Sequence, residues 1–157
     1  DRPNLLRFRT FSKAHGMAGL RVGYGVGAPE TIALFDRIRN HFGVNAIGQA
    51  AALAALEDGA YLQSVVDRTD RAKSRIGVIA QKAGLVALPS ATNFVAIDCM
   101  AGADFANRVL AGLLERGVFV RKPMVAPLDR CIRVSAGTDA DLDLFEAALQ
   151  ATLAELG

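Results

Sequence analysis

Two spacings of apolar residues recur along the chain, and together they predict an α/β protein. Short apolar runs bounded by glycine, proline or polar residues predict strands, whereas apolar residues at every third or fourth position predict amphipathic helices. The predicted strands are 5–9, 22–27, 85–88, 93–98, 118–121 and 131–135. The predicted helices are 29–40, 46–58, 61–83, 103–116 and 139–156.

The longest predicted helix, 61–83, separates two regions of different pattern. Its apolar positions recur at helical spacing, its other face is charged, and Gly84 ends it. A helix of this length suits a connection between two domains. The elements in 85–157 predict a small sheet covered on one side by helices, which is an α+β unit. In the strand 22–27, three glycines alternate with larger residues, which predicts close packing of the backbone.

Composition narrows the possible functions. The chain is 52% hydrophobic and 22% charged, which is typical of a globular protein. Its net charge is only +2 and its basic residues are spread among acidic ones, so we expect no nucleic-acid partner. No apolar run reaches the ~18 residues of a membrane span. Cys99 and Cys131 lie in no CxxC motif, so we expect no metal site and two free, buried thiols, as in the reducing cytoplasm.

The candidate chemistry lies in the segment TFSKAHGMAGLRVGY, residues 10–24. It places Lys13 in a loop of small residues between two predicted strands, with Arg21 further along the same loop. A deprotonated lysine can form an imine, and an arginine binds phosphate through charge-assisted, bidentate hydrogen bonds. Gly16 and Gly19 predict a tight turn and a close approach of the backbone. An isolated Ser-Lys pair would more simply be part of an exposed glycine-rich loop.

The full string SK-A-x-G-x-AGLR-x-GY resembles the cofactor-lysine signature of the class I/II (fold type I) aminotransferases, and most closely that of their histidinol-phosphate aminotransferase branch. Four further segments resemble the same branch in the same order. They are VNAIGQAAALAAL, PSATNFVAI, GVFVRK and CIRVSAGT. The resemblance therefore covers essentially the whole chain.

The resemblance implies pyridoxal 5'-phosphate as the cofactor and names the residues that would hold it. Lys13 would bind the cofactor as a Schiff base and carry protons during catalysis. Ser12 and Arg21 would hold the cofactor phosphate, with Thr10 as a weaker candidate.

Three residues of the second region are implied in substrate binding. Arg133 would bind the carboxylate of the amino donor, Arg121 would meet the substrate phosphate, and Asn93 would lie near the substrate entrance. The pattern alone leaves other roles open. Arg133 alternates with Ile132 and Val134, which also fits a solvent-facing strand arginine. Arg121 also fits a surface residue, and Asn93 a turn cap.

The implied fold is that of the pyridoxal-phosphate-dependent transferases, which is aspartate aminotransferase-like. Residues 1–43 would form the C-terminal end of the large α/β domain, 44–83 the linking helices, and 84–157 the small α+β domain. In this family the remaining cofactor contacts come from sequence that would precede Asp1, so we expect the chain to be an incomplete part of the enzyme. The family's sites lie at a subunit interface, which implies a homodimer.

The implied activity is transamination of L-histidinol phosphate with 2-oxoglutarate, in histidine biosynthesis in the cytoplasm. The partners are then a small-molecule amino donor and a 2-oxo acid. Two other readings stay open. The chain could belong to an aromatic aminotransferase or a threonine-phosphate decarboxylase with the same lysine signature. It could also be a non-catalytic aminotransferase-like domain, as in some transcription regulators.

Overall fold

A computed structural model describes residues 4–157, and the chain is a mixed α/β protein. It divides into two compact units, Asp1–Val66 and Asp67–Gly157. The strands are β1 Arg7–Thr10, β2 Gly23–Val26, β3 Val86–Ala87, β4 Phe94–Asp98 and β5 Cys131–Ser135. The helices are α1 Pro29–Phe35, α2 Ala46–Glu57, α3 Gly59–Lys82, α4 Gly102–Glu115 and α5 Asp139–Leu156. Within residues 4–157, no helix is long and apolar enough to cross a membrane.

The first unit contains a two-stranded antiparallel sheet, in which β1 pairs with β2 from Arg7 opposite Val26 to Thr10 opposite Gly23. The close packing predicted for the glycines of residues 22–27 is confirmed. A β-carbon added at Gly23 would lie 2.6 Å from the Arg9 carbonyl oxygen, and one at Gly27 would lie 2.5 Å from a methyl of Leu6. The strands therefore need glycine because the neighbouring chain occupies the space of a side chain.

The segment that joins the two strands, residues 11–22, is called the lysine loop below. Its anchors are Phe11 and Val22, which are buried together with Ala52 of α2. Met17, Leu20 and Ala55 pack around them, partly buried. The loop is thus fixed at both ends by apolar contacts with α2.

The second unit holds an antiparallel sheet in the order β3-β4-β5. Its buried face carries Val95 and Ile97 of β4 with Ile132 and Val134 of β5, which are at most 4% exposed. Apolar residues of α3, α4 and α5 complete this core. They include Ile76, Ile79, Val109, Leu113, Phe145 and Leu149. The predicted small sheet with a helical cover is therefore present.

Two predicted elements differ most from the structure. The helix predicted over 29–40 ends at Phe35 and continues as turns, in which the amide of Ile38 donates to the Phe35 carbonyl at 3.1 Å. Ile38 is 82% exposed, so no packing sustains a further helical turn there. The strand predicted over 118–121 is a single bridge, in which Arg121 pairs with Arg133.

Candidate active site

Lys13 lies in the lysine loop with its side chain exposed. Its backbone carbonyl accepts a hydrogen bond from the amide of Gly16 at 2.9 Å, which closes a tight turn directly after the lysine. Gly16 has a φ of 69°, which explains the glycine at this position. Among residues 4–157, no carboxylate pairs with the Lys13 amine. The amine is therefore available to another reactant.

Two hydroxyls that the sequence predicted for the phosphate lie beside one another. The Thr10 Oγ1 donates to the Ser12 Oγ at 2.9 Å and accepts the Ser12 amide at 3.1 Å. This local turn orders the hydroxyls on the strand side of Lys13. Thr10 is exposed and Ser12 is partly buried, so both can reach a ligand.

The buried side chain and the backbone of Phe11 fix this part of the lysine loop. Its side chain is 3% exposed, its amide donates to the Val22 carbonyl at 3.1 Å, and its carbonyl accepts the Met17 amide at 3.0 Å. The rings of His15 and Tyr24 pack against it, with centroids 4.9 and 5.9 Å from the Phe11 ring. His15 thus packs against Phe11, two residues after Lys13.

Arg21 adopts the left-handed backbone conformation, with φ 56° and ψ 49°. Sequence reasoning assigned the turning positions to Gly16 and Gly19. Gly19, however, has an ordinary φ, and a β-carbon added to it would meet nothing within 4 Å. Gly19 lies within a 3₁₀ turn, Ala18–Leu20, and the left-handed position that follows this turn is Arg21. The Arg21 guanidinium donates to the Ala18 carbonyl at 2.6 Å, which folds the side chain back over the loop.

The second unit brings two of the predicted substrate residues together. Arg121 and Arg133 are directly opposed and exchange both backbone hydrogen bonds, at 3.2 and 2.6 Å. Directly opposed residues of an antiparallel pair project from the same face, with β-carbons about 5 Å apart. We call these two residues the arginine pair. The spacing of the two arginines along the chain does not by itself reveal this pairing.

The arginine pair lies on the face of the sheet opposite the core. Arg133 is partly exposed between the buried Ile132 and Val134, which confirms that it points away from them. Its guanidinium carbon lies 4.7 Å from the centre of the Phe94 ring, a cation–π contact that orients it. Neither arginine forms an ion pair with a carboxylate of residues 4–157. The arginine pair therefore presents two positive charges side by side on this face of the sheet.

Asn93 immediately precedes β4, and its side chain is exposed. Its backbone carbonyl accepts the Ala136 amide at 2.9 Å, which extends the pairing of β4 with β5 by one bond. The neighbouring turn is capped by Ser90 and Thr92 rather than by Asn93. The side chain is therefore free of the capping role that the sequence left open.

The two cysteines are free and buried, as predicted. Burial raises the pKa of the Cys99 thiol to about 11 and also raises that of Cys131. Both thiols are therefore protonated at neutral pH and are poor nucleophiles.

Comparison with known proteins identifies the family of the chain. The sequence profile of aminotransferase class I and II matches residues 1–149. The chain belongs to this family. The predicted family is thereby confirmed, and the roles of its individual residues stay predictions.

Two similar proteins are both named histidinol-phosphate aminotransferase. Histidinol-phosphate aminotransferase 2 of Methylococcus capsulatus is 44% identical over 151 residues, which are 96% of this chain and 40% of that protein. The crystal structure of histidinol-phosphate aminotransferase from Sinorhizobium meliloti, in complex with pyridoxal-5'-phosphate, is 51% identical. It matches with a TM-score of 0.94 and covers 100% of this chain and 43% of that one. The chain thus spans about two fifths of the length of these relatives.

The predicted aspartate aminotransferase-like fold is also confirmed. Aspartate aminotransferase from Thermotoga maritima matches 95% of this chain with a TM-score of 0.77 at 22% identity, a likeness of fold alone.

Proposed function

We propose that this chain is part of a pyridoxal-phosphate-dependent aminotransferase that transfers the amino group of L-histidinol phosphate to 2-oxoglutarate. The arginine pair carries the substrate assignment, because its two guanidinium groups have no ion pair within residues 4–157 and suit a phosphate and a carboxylate. The name shared by the relatives, at 44% and 51% identity, supports the same substrate.

The residues of the lysine loop fit the cofactor. An aldehyde needs an exposed amine, which Lys13 supplies, and a phosphate needs hydroxyl and guanidinium donors, which Thr10, Ser12 and Arg21 supply. When bound, pyridoxal phosphate supplies an electron sink for negative charge at the substrate Cα. Lys13 would hold the cofactor covalently and, once its amine is free, would move a proton at that Cα.

In the second unit, Arg121 would bind the phosphate of the substrate and Arg133 the carboxylate of the amino donor or acceptor. The contact with Phe94 keeps the Arg133 guanidinium above the open face of the sheet. Asn93, with its exposed amide next to β4, would contact the substrate at the entrance. The two arginine roles each use a guanidinium group, which binds a planar carboxylate or a tetrahedral phosphate through two hydrogen bonds.

The proposal includes the setting of the whole enzyme. Residues 1–43 would end its large domain, 44–83 would link the domains and 84–157 would form its small domain. The enzyme would be a homodimer in the cytoplasm, active in histidine biosynthesis.

The test uses the full-length protein with pyridoxal phosphate. We expect a visible imine band that borohydride removes, that is absent in Lys13→Ala, and that is retained in the matched control Lys122→Ala. Histidinol phosphate with 2-oxoglutarate should then yield glutamate. A parent protein with no imine band would refute the cofactor assignment.

The same assay separates the related activities. Release of carbon dioxide from threonine phosphate, without a 2-oxo acid acceptor, would indicate a decarboxylase. Equal rates with phosphate-free aromatic amino acids would indicate an aromatic aminotransferase.

A further inference from the structure

The side chain of Asn45 connects α2 to the lysine loop with both ends of its amide. Its Oδ1 accepts the amide of Gly48 at 2.6 Å, which caps the N-terminus of α2. Its Nδ2 donates to the backbone carbonyl of Leu20 at 3.1 Å. Leu20 immediately precedes Arg21, so a cap of α2 also fixes the peptide that enters this arginine.

A second contact fixes the residue on the other side of Arg21. A β-carbon added to Gly48 would lie 2.7 Å from the Cγ2 of Val22, so this turn of α2 is in close contact with Val22. Val22 is 8% exposed, and its carbonyl accepts the Phe11 amide at 3.1 Å. The first turn of α2 therefore holds both neighbours of Arg21.

Arg21 needs this support because its backbone is in the left-handed region, with φ 56°. An L-residue with a long side chain stays in that region only where its surroundings fix it. The side chain itself contributes one bond, from the guanidinium to the Ala18 carbonyl at 2.6 Å. That bond joins two groups of the same loop and does not tie Arg21 to the rest of the unit. Asn45 and Gly48 provide that tie.

We propose that Asn45 is a positioning residue for cofactor binding: through the Leu20 carbonyl it holds Arg21 in the left-handed conformation from which its guanidinium meets the cofactor phosphate. This inference rests on the proposed function, because it requires that Arg21 binds that phosphate. Asn45 acts through Arg21, so its effect is confined to ligands that carry the phosphate.

The test replaces Asn45 by serine in the full-length protein. Serine is neutral and caps helices as well as asparagine does, so α2 keeps its N-cap. Its hydroxyl is too short to span from the cap to the Leu20 carbonyl, so only the positioning bond is lost. Asn107→Ser is the matched control, because Asn107 is exposed on α4 of the other unit. The probes are pyridoxal phosphate and pyridoxal, each titrated by its imine absorbance.

We expect the dissociation constant of pyridoxal phosphate to rise about fivefold to tenfold in Asn45→Ser, as one lost hydrogen bond produces. The affinity for pyridoxal should be unchanged, because it lacks the phosphate. In an Arg21→Gln background, Asn45→Ser should have no further effect, since the two residues act in series.

Two results would overturn the inference. If Asn45→Ser weakened pyridoxal as much as pyridoxal phosphate, Asn45 would be a general structural residue. If its effect added fully to that of Arg21→Gln, it would not act through the arginine. If the parent protein forms an imine and the variants give either result, the inference alone is refuted. If the parent protein forms no imine, the proposed function is refuted and the inference with it.

Discussion

Replacing Arg121 by methionine should stabilise the second unit and raise the KM of the enzyme for histidinol phosphate. The two members of the arginine pair are directly opposed, and no carboxylate of residues 4–157 compensates them. At the ~5 Å that separates the β-carbons of directly opposed residues, Coulomb's law gives about 0.8 kcal/mol of repulsion in water and about 3 kcal/mol at an effective dielectric constant of 20. Arg121 is exposed and salt screens the pair, so we expect a gain near the lower limit, about 0.5–1 kcal/mol.

The same substitution removes a partner for the substrate phosphate. A charge-assisted hydrogen bond contributes about 1.5–3 kcal/mol, so the KM for histidinol phosphate should rise about 10- to 100-fold. The KM for 2-oxoglutarate should change much less, because its carboxylate is assigned to Arg133. Methionine keeps the apolar stem of the arginine, so the backbone bridge between the two residues should persist.

The assay combines urea unfolding of the full-length protein with steady-state kinetics for both substrates. Arg108→Met is the matched control, because it removes one exposed positive charge from α4 outside the arginine pair. The control should leave both quantities near those of the parent. If Arg121→Met destabilised the protein, the two arginines would not repel each other as argued. If it also left the KM for histidinol phosphate unchanged, Arg121 would not bind the substrate phosphate.

Three further predictions concern the second unit of the full-length protein. The Thr152 Oγ1 is buried and has no hydrogen-bond partner among residues 4–157, so Thr152→Val should raise the free energy of unfolding by about 1 kcal/mol or more, as measured in urea. A β-carbon at Gly112 would lie 2.5 Å from the Thr152 Cγ2, so Gly112→Ala should destabilise by about 1–3 kcal/mol, and a second change, Thr152→Ala, should restore part of this loss. Burial raises the pKa of Cys99 from 9.0 to about 11, so its neutral thiol stabilises the fold below pH 9 and this contribution is lost as the pH rises towards 11. Unfolding midpoints across this range should fall less in Cys99→Ala, and an equal fall would contradict the assignment.

Much of the fold follows from local pattern. Asn45 and Thr138 are both residue types that favour the N-cap position, and each directly precedes a helix. The structure shows both caps. At Thr138 the Asp141 carboxylate also accepts a hydrogen bond from the Thr138 amide, which completes a capping box. These hydrogen bonds lower the pKa of Asp141, which is the expected direction for a carboxylate that accepts them. Such features depend on residues within one turn, so the sequence displays them.

The features that the sequence did not display depend on contacts between distant residues. The second hydrogen bond of Asn45 reaches Leu20, and nothing in the residue types around Asn45 indicates that partner. The helix predicted over 29–40 was also too long. The residues after Phe35 do not pack against a core that could stabilise a further helical turn. The strand predicted at 118–121 failed for a similar reason, since only Arg121 of that segment pairs with β5.

The lysine loop and the arginine pair are held by different physics. Arg21 owes its conformation to hydrogen bonds and close contacts around a single residue, each of which one substitution can remove. Arg133 owes its direction to the strand, because Ile132 and Val134 on either side of it are buried in the core. A slip of one residue would bury the guanidinium and expose both apolar side chains, which the free energy of burial opposes. The packing that folds the second unit therefore also holds Arg133 on the open face beside Arg121, against the repulsion between the two cations.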